Sequence, residues 1–467
     1  MTDFRPDNMT VGGTASHAGL PAATEPWLRE RLEWFSDLKF GLFVHWGLCA
    51  EWGCTESWPL VACEPWARDP QLPAWIDCEH DLPRFQAAYR ALNQQFNPQT
   101  FDPDTWVEAA RAAGMRDFNF TAKHHDGFCL FDTATTDFRT THSSCPFHTH
   151  PHANVTRALF ERFRAAGFGI SCYFSKPDWH SPDYWCPQAP ATTRGPNYDP
   201  RAEPGRWRRF VEFTHRQVRE LMTNYGHIDV LWLDGGWVRP PEQDLEMDCL
   251  VTDARRRQPG LIVVDRTVGG RHENVLTPEQ QVPDQPLGRV WETCLTLGTS
   301  FAYKPNDEYK SVRQVVALLV DIVSKGGNLL LGVGADKHGA LPPEAVECMR
   351  GVGRWLAVHG EAVYGTRGTT PFRQSDEAME IRFTRKGDVL YAIILAKPMQ
   401  QRPPATVRLH GIRPAAGAPV ELLGVAERPA WHAEETAVVV QIPTVQLERE
   451  PARPAWVLKL HAPPEAV

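Results

Sequence analysis

Short apolar runs alternate with amphipathic stretches from about residue 30 to about residue 350. This alternation is typical of β/α units, in which each strand of a parallel sheet is followed by a helix. Seven strands are visible where a complete barrel needs eight, and we predict a (β/α)8-like barrel over residues 25–360. The predicted strands are Lys39 to His45, Asp117 to Lys123, Gly167 to Phe174, Ile228 to Leu233, Leu261 to Val264, Arg289 to Glu292 and Asn328 to Val333.

The pattern changes after about residue 365. Two apolar runs, 379–384 and 389–394, flank Arg385-Lys386-Gly387-Asp388, which predicts a β-hairpin. Further short runs follow at Thr406 to Leu409, Val420 to Val425, Ala437 to Ile442 and Trp456 to Leu460. Short alternating segments are typical of antiparallel sheets with one buried face. We therefore predict the α/β class, with a (β/α)8-like barrel followed by a small antiparallel β-sandwich over residues 366–467.

Composition excludes only a few classes of protein. A chain of 467 residues favours two domains, and 42% hydrophobic with 23% charged residues is typical of folded proteins. The formal net charge of -8 argues against nucleic acid as a partner, and no apolar run is long enough to span a membrane. Eleven scattered cysteines without metal-ligand spacing, and no visible secretory signal, lead us to expect a cytoplasmic protein. Homo-oligomerisation stays open.

The most informative apolar run ends at Asp234, which is followed by Gly235 and Gly236. In a parallel barrel, the loops at the carboxyl ends of the strands form the active site. Asp234 is therefore a candidate catalytic residue, although Asp after a strand also commonly caps the next helix or turn. The glycines allow a sharp turn and close approach of a substrate.

Other polar and aromatic residues also follow predicted strands. If the strands form one barrel, these side chains converge at one mouth, and such convergence is hard to obtain by chance. Tryptophan faces commonly hold the apolar side of a sugar ring. The residues at or just past strand ends are His45, Trp46, His124, His125, Trp232, Arg266 and Glu292, and Glu279 lies in the following loop.

Two chemistries fit this set. One is a metal-dependent hydrolase with His45, His124, His125 and an aspartate as ligands. The adjacent histidines could bind one ion only if the strand bends, because neighbouring side chains on a strand point to opposite faces. The other chemistry is metal-free glycoside hydrolysis, which needs one ionised carboxylate and one protonated carboxyl group. Neutral imidazoles would then form hydrogen bonds with sugar hydroxyls.

At this point the residues resemble the α-L-fucosidases of glycoside hydrolase family 29. The resemblance spans residues 39 to 294 in the family's order, and the blocks around His124 and Asp234 are specific in combination. The family's barrel followed by a β-sandwich also matches the predicted organisation. The matching blocks are Lys39 to Gly47, Glu56-Ser57-Trp58-Pro59, Thr121 to Phe128, Leu231 to Gly235, Thr277-Pro278-Glu279 and Trp291-Glu292-Thr293-Cys294.

The resemblance implies retaining cleavage of α-L-fucosides in an oligosaccharide or glycoconjugate, without a cofactor or a metal. Asp234 would be the nucleophile, and Arg266 resembles an arginine that keeps this carboxylate ionised. His45, His124 and His125 match sugar-binding histidines. The further substrate-binding positions that we predict are Trp46, Glu56, Trp58 and Trp232.

The acid/base is less determined. We favour Glu279, because a carboxyl group in a loop can reach over the leaving group. Glu292 is the alternative, either as the acid/base or in a structural role. Relatives often carry two tyrosines where this chain has Cys172 and Tyr173, so we assign no contact there. Two other functions stay open: a non-catalytic fucose-binding protein and the metal-dependent hydrolase.

Overall fold

The computed structural model describes residues 25–67, 81–375, 379–397, 400, 402–415, 417–443 and 453–462. Its larger part is built on a curled parallel sheet of seven strands, in the order β5-β4-β3-β2-β1-β7-β6. Every residue of these strands is buried, which accounts for their nearly continuous apolar sequence. The strands are β1 (Phe40–His45), β2 (Asp117–Lys123), β3 (Gly169–Ser175), β4 (Val230–Asp234), β5 (Ile262–Asp265), β6 (Glu292–Thr296) and β7 (Asn328–Gly334).

Helices cover the outer face of this sheet. The longest, α6, buries one stripe of its surface, including Trp207, Phe210 and Leu221, against the strands. Helix α8 begins with a capping box in which Ser311 and Gln314 satisfy each other's backbone N–H groups. The helices are α1 (Pro26–Leu38), α2 (Cys49–Trp52), α3 (Leu82–Ala91), α4 (Pro103–Ala112), α5 (Val155–Ala165), α6 (Pro204–Asn224), α7 (Met247–Arg257), α8 (Val312–Ser324) and α9 (Pro343–His359).

An irregular segment, residues 273–279, lies between the two edges of the curled sheet. At one end, Glu273 forms a β-bridge with Val264 of the β5 edge. Further along, Leu276 bridges in parallel to Trp291, and Glu279 bridges in parallel to Cys294 of β6. We call residues 273–279 the bridging segment, because it occupies the place where a complete barrel would have its eighth strand.

The smaller part contains two antiparallel sheets, of five strands (β12-β15-β10-β9-β8) and of three strands (β11-β14-β13). Apolar side chains of both sheets, such as Phe383, Val440 and Trp456, form a common core between them. The other face of the larger sheet packs against the barrel, where Trp355 donates a hydrogen bond to the carbonyl of Ala455 at 3.0 Å. The strands are β8 (Arg367–Ser375), β9 (Glu380–Lys386), β10 (Val389–Leu395), β11 (Thr406–His410), β12 (Val420–Leu422), β13 (Ala430–Ala433), β14 (Ala437–Gln441) and β15 (Ala455–His461).

The predicted fold class is confirmed: a curled, barrel-like parallel sheet precedes a domain of two antiparallel sheets. Two details differ from the sequence analysis. Strand β6 begins at Glu292, where we expected a strand to end. Strand β8 occupies a stretch without a clear apolar pattern, because it is an edge strand, contains Pro371 and leaves most side chains partly exposed.

Candidate active site

Asp234 is the last residue of β4 and lies at the mouth of the curled sheet. The next residue, Gly235, has φ 93°, a conformation that favours glycine. A side chain at this position would also collide with the ring of Pro177 in the neighbouring loop. The turn therefore holds the Asp234 carboxylate in place, and its side chain is 12% exposed.

Three side chains contact the Asp234 carboxylate. Nη1 of Arg266 donates to Oδ1 at 2.9 Å, and the hydroxyl of Tyr173 donates to Oδ2 at 2.7 Å. Nε2 of His125 lies 3.6 Å from Oδ2. Burial by itself would raise the pKa of Asp234, but the positive charge of Arg266, together with His125 and the hydrogen bonds from Tyr173 and Arg266, outweighs burial, and the pKa lies below its ordinary value. Asp234 is therefore ionised at neutral pH, as a nucleophile must be.

Arg266 holds a second carboxylate as well. Its Nη2 pairs with Oε2 of Glu279, which the bridging segment carries to the mouth. The guanidinium group is planar and binds two carboxylates through its two terminal nitrogens. Asp234 and Glu279 are consequently fixed on either side of one arginine.

The three predicted histidines gather beside these carboxylates. The register of β2 against β3 shifts between Thr121 and Lys123, and the rings of His124 and His125 lie only 4.3 Å apart. Nδ1 of His124 is 2.6 Å from the hydroxyl of Ser57, and Nδ1 of His125 is 2.7 Å from that of Ser175. The strand end thus bends enough to bring both rings to one side.

Burial makes these histidines poor bases. It lowers the pKa of His45 to about 3 and that of His125 to about 4, although the nearby Asp234 carboxylate opposes the shift. Burial also lowers the pKa of His124 well below its ordinary value, with His125 and His45 adding to the effect. All three imidazoles are therefore neutral at pH 7 and can exchange hydrogen bonds with hydroxyl groups.

These groups border a cavity of about 500 Å³ at the mouth of the barrel. One wall is aromatic: the ring of Phe43 lies 5.6 Å from that of Trp232 and 5.8 Å from that of Phe301. Asp234, Glu279, His45 and His124 line the same cavity, and the ring of His45 packs against the aromatic wall, 4.4 Å from that of Phe43. The predicted site residues that line the cavity are His45, Glu56, Trp58, His124, Trp232, Asp234, Arg266 and Glu279.

Glu56 is buried in the cavity wall and has a defined orientation. Its Oε1 accepts hydrogen bonds from the hydroxyl of Ser300 at 3.0 Å and from the backbone N–H of Ala302 at 2.7 Å. Burial nevertheless raises the pKa of Glu56 above its ordinary value. The group is suited to a hydrogen bond with a sugar hydroxyl rather than to catalysis.

Two predicted residues lie away from the cavity. Trp46 points outward from the barrel, packs on Phe101 and Trp106, and donates to the carbonyl of Asp336 at 2.8 Å. Glu292 is the first residue of β6, at the opposite end of the barrel from the mouth. Its placement at a carboxyl end of a strand is corrected, because the strand begins there. His125 does not line the cavity but contacts Asp234 directly.

Sequence reasoning missed several residues of this site. Tyr173 had no assigned role, yet it contacts Asp234 and lines the cavity. Tyr173 of β3 pairs in register with Trp232 of β4, and Trp232 faces the cavity. The alternation of side chains along β3 is therefore the signal that could have identified Tyr173. Arg194 and Trp237 also line the cavity, but they come from loops that carry no such signal.

A metal centre is the alternative that the sequence left open. Among the residues that the structure describes, no three His, Cys, Asp or Glu side chains are placed so that they could hold a metal ion.

Among the helices of the described part of the chain, none combines the length and the apolar character needed to cross a membrane.

Two family models match the chain. The model described as "Alpha-L-fucosidase" matches residues 20–361, and the model described as "Alpha-L-fucosidase C-terminal domain" matches residues 374–461. The first match covers well over half of the chain.

Individual relatives agree with these models. The tissue alpha-L-fucosidase of Rattus norvegicus is 25% identical over 96% of this chain and 94% of its own length. Among solved structures, alpha-L-fucosidase isoenzyme 1 from Paenibacillus thiaminolyticus is 30% identical, with a TM-score of 0.75 over 93% of this chain and 99% of that chain. The Thermotoga maritima alpha-fucosidase in complex with a mechanism-based inhibitor is 27% identical, also with a TM-score of 0.75, over 93% and 98% of the two chains.

Proposed function

The chain belongs to the α-L-fucosidase family of glycoside hydrolases, and from this premise we propose that it releases terminal α-L-fucose with retention of configuration. The observation that carries the proposal is the pair of carboxylates held by Arg266. Asp234 and Glu279 each bind a terminal nitrogen of this guanidinium group. Such closeness fits the retaining arrangement, in which the two carboxyl groups are about 5 Å apart, better than the wider inverting arrangement.

In the first step, the ionised Oδ of Asp234 attacks the anomeric carbon and forms an ester bond to fucose. The bond from the anomeric carbon to the leaving oxygen breaks, and the carboxyl group of Glu279 donates its proton to that oxygen. In the second step, Glu279 takes a proton from water, whose oxygen attacks the anomeric carbon and releases Asp234. Two inversions give overall retention.

The cavity wall supports L-fucose as the sugar. Fucose carries a methyl group where related hexoses have a hydroxymethyl group, and the rings of Phe43, Trp232 and Phe301 offer an apolar surface for it. A hydroxyl group against this wall would be buried without a partner, which is unfavourable. Neutral His45 and His124, which also line the cavity, suit the ring hydroxyls.

The test is release of 4-nitrophenol from its α-L-fucoside by the wild type and by Asp234→Gly. We expect activity in the wild type and a loss of about 10^4-fold or more in the variant, because no nucleophile remains. Added azide should restore turnover of the variant with an inverted product. Proton NMR of the wild-type reaction should show α-fucose as the first product.

Several results would overturn the proposal. Fucose binding without turnover of any fucoside would indicate a binding protein, and activity that a chelator abolishes would indicate a metal-dependent hydrolase. β-Fucose as the first product would exclude the retaining mechanism.

We also propose a reducing, cytoplasmic location and a fucosylated oligosaccharide or glycoconjugate as the substrate. The ten cysteines that the structure describes are all free thiols, and eight of them are buried. Free thiols persist in reducing compartments. Fractionation of the source cells with an antibody to the chain tests the location.

A further inference from the structure

The outer part of the cavity contains residues that the proposed reaction does not use. Trp58, Arg194, Trp237 and Arg239 line it beyond the catalytic carboxylates. A cavity of about 500 Å³ falls in the range of about 300–1,000 Å³ that encloses a drug-sized ligand, which is larger than one monosaccharide. The outer part therefore has room for the group to which fucose is attached.

Arg194 is held rigidly in this wall. Its guanidinium carbon lies 5.3 Å from the ring centroid of Trp58 and 5.3 Å from that of Trp237, so that it contacts both rings. Its Nη2 pairs with the buried carboxylate of Glu64, which balances its charge. The backbone carbonyl of Arg194 accepts hydrogen bonds from three side chains: Trp179, Tyr184 and Trp237.

Arg239 differs because its charge is not balanced. It is exposed, and none of the residues that the structure describes forms an ion pair or a side-chain hydrogen bond with it. The catalytic carboxylates of the wall are already occupied by Arg266. Glu56 accepts bonds from Ser300 and Ala302. Of the three arginines that line the cavity, Arg239 is thus the one with no carboxylate partner among the described residues.

We propose that the outer cavity is a leaving-group subsite for a ring that carries a carboxylate, with Trp58 and Trp237, joined by Arg194, as its floor and Arg239 as the partner of the carboxylate. The planar guanidinium group matches a carboxylate in a bidentate manner. The half-buried tryptophans offer faces on which a ring can lie. The inference rests on the proposed function, since it concerns what that reaction releases.

The experiment compares two α-L-fucosides, those of 3-hydroxyphenylacetic acid and of its primary amide. The methylene group separates the charge from the phenol, so the two leaving groups differ little in reactivity. The measured quantity is the ratio of kcat/KM for the acid to that for the amide. We expect a ratio above one in the wild type and a fall of about threefold to fivefold in Arg239→Gln, the scale of an exposed ion pair.

Four further measurements sharpen this test. Arg239→Lys keeps the charge and should retain most of the ratio, and 0.5 M salt should bring the wild-type ratio towards one, because salt screens exposed charges. Arg194→Gln should lower kcat/KM for both fucosides alike, since Glu64 already balances that charge. Arg201→Gln, at an exposed arginine that pairs with Asp199 and does not line the cavity, is the matched control.

A wild-type ratio of one or less, or the same ratio in Arg239→Gln, would overturn the inference. An effect of Arg194→Gln on the acid alone would overturn the assignment of the two arginines. If neither fucoside is cleaved, the proposed reaction itself fails. In that case, calorimetry gives the dissociation constants of the two compounds for the wild type and for Arg239→Gln. The ratio of these constants then tests the inference independently of turnover.

Discussion

The same barrel buries two groups of carboxylic acids in opposite electrostatic settings. At the mouth, Asp234 and Glu279 share Arg266. At the other end, Asp117 and Glu292 lie at the first residues of β2 and β6, and no ion pair among the described residues includes either of them. Burial, which disfavours the charged form, is common to Asp234, Asp117 and Glu292, whereas Glu279 is partly exposed. The arginine is what differs.

The consequence appears in the pKa values. Arg266, together with His125 and the hydrogen bond from Tyr173, keeps the pKa of Asp234 below its ordinary value despite burial. Burial, with the added negative charge of Asp229, raises the pKa of Asp117 to about 8. Burial, with the charge of Asp117, raises the pKa of Glu292 well above its ordinary value. The acid that lies beside the arginine, Asp234, is therefore held ionised, whereas Asp117 and Glu292 are held in the neutral form.

Removing one carboxyl group from each end gives the largest expected contrast. Glu279→Gln should lower kcat/KM for a fucoside with a sugar leaving group by about 10^2- to 10^4-fold, the usual contribution of a general acid. Glu292→Gln should change it by less than about threefold, because this group does not line the cavity. Initial rates on a fucosyl disaccharide measure both. Equal losses of kcat/KM in the two variants would contradict the distinction between the two ends of the barrel.

Removing the cation from the mouth should make that end resemble the other. In Arg266→Met, the pKa of Asp234 should rise, because burial then acts without an opposing positive charge. Asp234 must be ionised to attack. As the pH is lowered, Arg266→Met should therefore lose activity at a higher pH than the wild type does. The measurement is kcat/KM between pH 3 and 8, with a loss of about tenfold or more at the optimum.

Arg266→Lys is the control, since it keeps the charge and should shift the acid limb less. An acid limb at the same pH in wild type and Arg266→Met would show that the arginine does not set the ionisation of Asp234.

The smallest effect is expected on stability at the other end. Because the pKa of Asp117 is about 8 in the folded protein and about 4 when unfolded, the folded state holds a proton that the unfolded chain releases between these values. The free energy of unfolding of the wild type should therefore fall as the pH rises from 5 to 8. Asp117→Asn should reduce this slope by up to about 1 kcal/mol per pH unit.

Urea unfolding at pH 5 and 7.5 measures that slope, with kcat/KM as a check that the mouth is intact. Identical slopes in wild type and Asp117→Asn would mean that Asp117 is ionised in the folded protein, and the contrast with Asp234 would then be wrong.

Much of the fold could be predicted from sequence, because buried parallel strands are nearly continuous apolar runs. The structure has a strand at each of the seven predicted places, and Asp234 ends its strand as expected. The prediction failed where it depended on a strand boundary. Nothing in the residues around Glu292 distinguishes the beginning of a strand from its end, and that difference moves a side chain from one end of the barrel to the other.

Side-chain alternation explains the remaining site residues. His45 and Phe43 point into the barrel, and Trp46, next to His45, points outward. Applying this alternation to β3 would have included Tyr173, and applying it to β1 would have excluded Trp46. Arg194 and Arg239 could not be predicted in this way, because long loops carry no period that fixes the direction of a side chain.

The bridging segment has a consequence for how the chain can change. The position of Asp234 is set by the hydrogen-bonded register of β4 between β3 and β5, so one inserted residue in that strand would turn the carboxylate away from the mouth. Glu279 is the last residue of the bridging segment, which is held by isolated bridges only. Residues can be added or removed around it without moving a strand. The proposed nucleophile is thus fixed by the architecture, whereas the proposed acid/base lies where insertions and deletions are more easily accommodated.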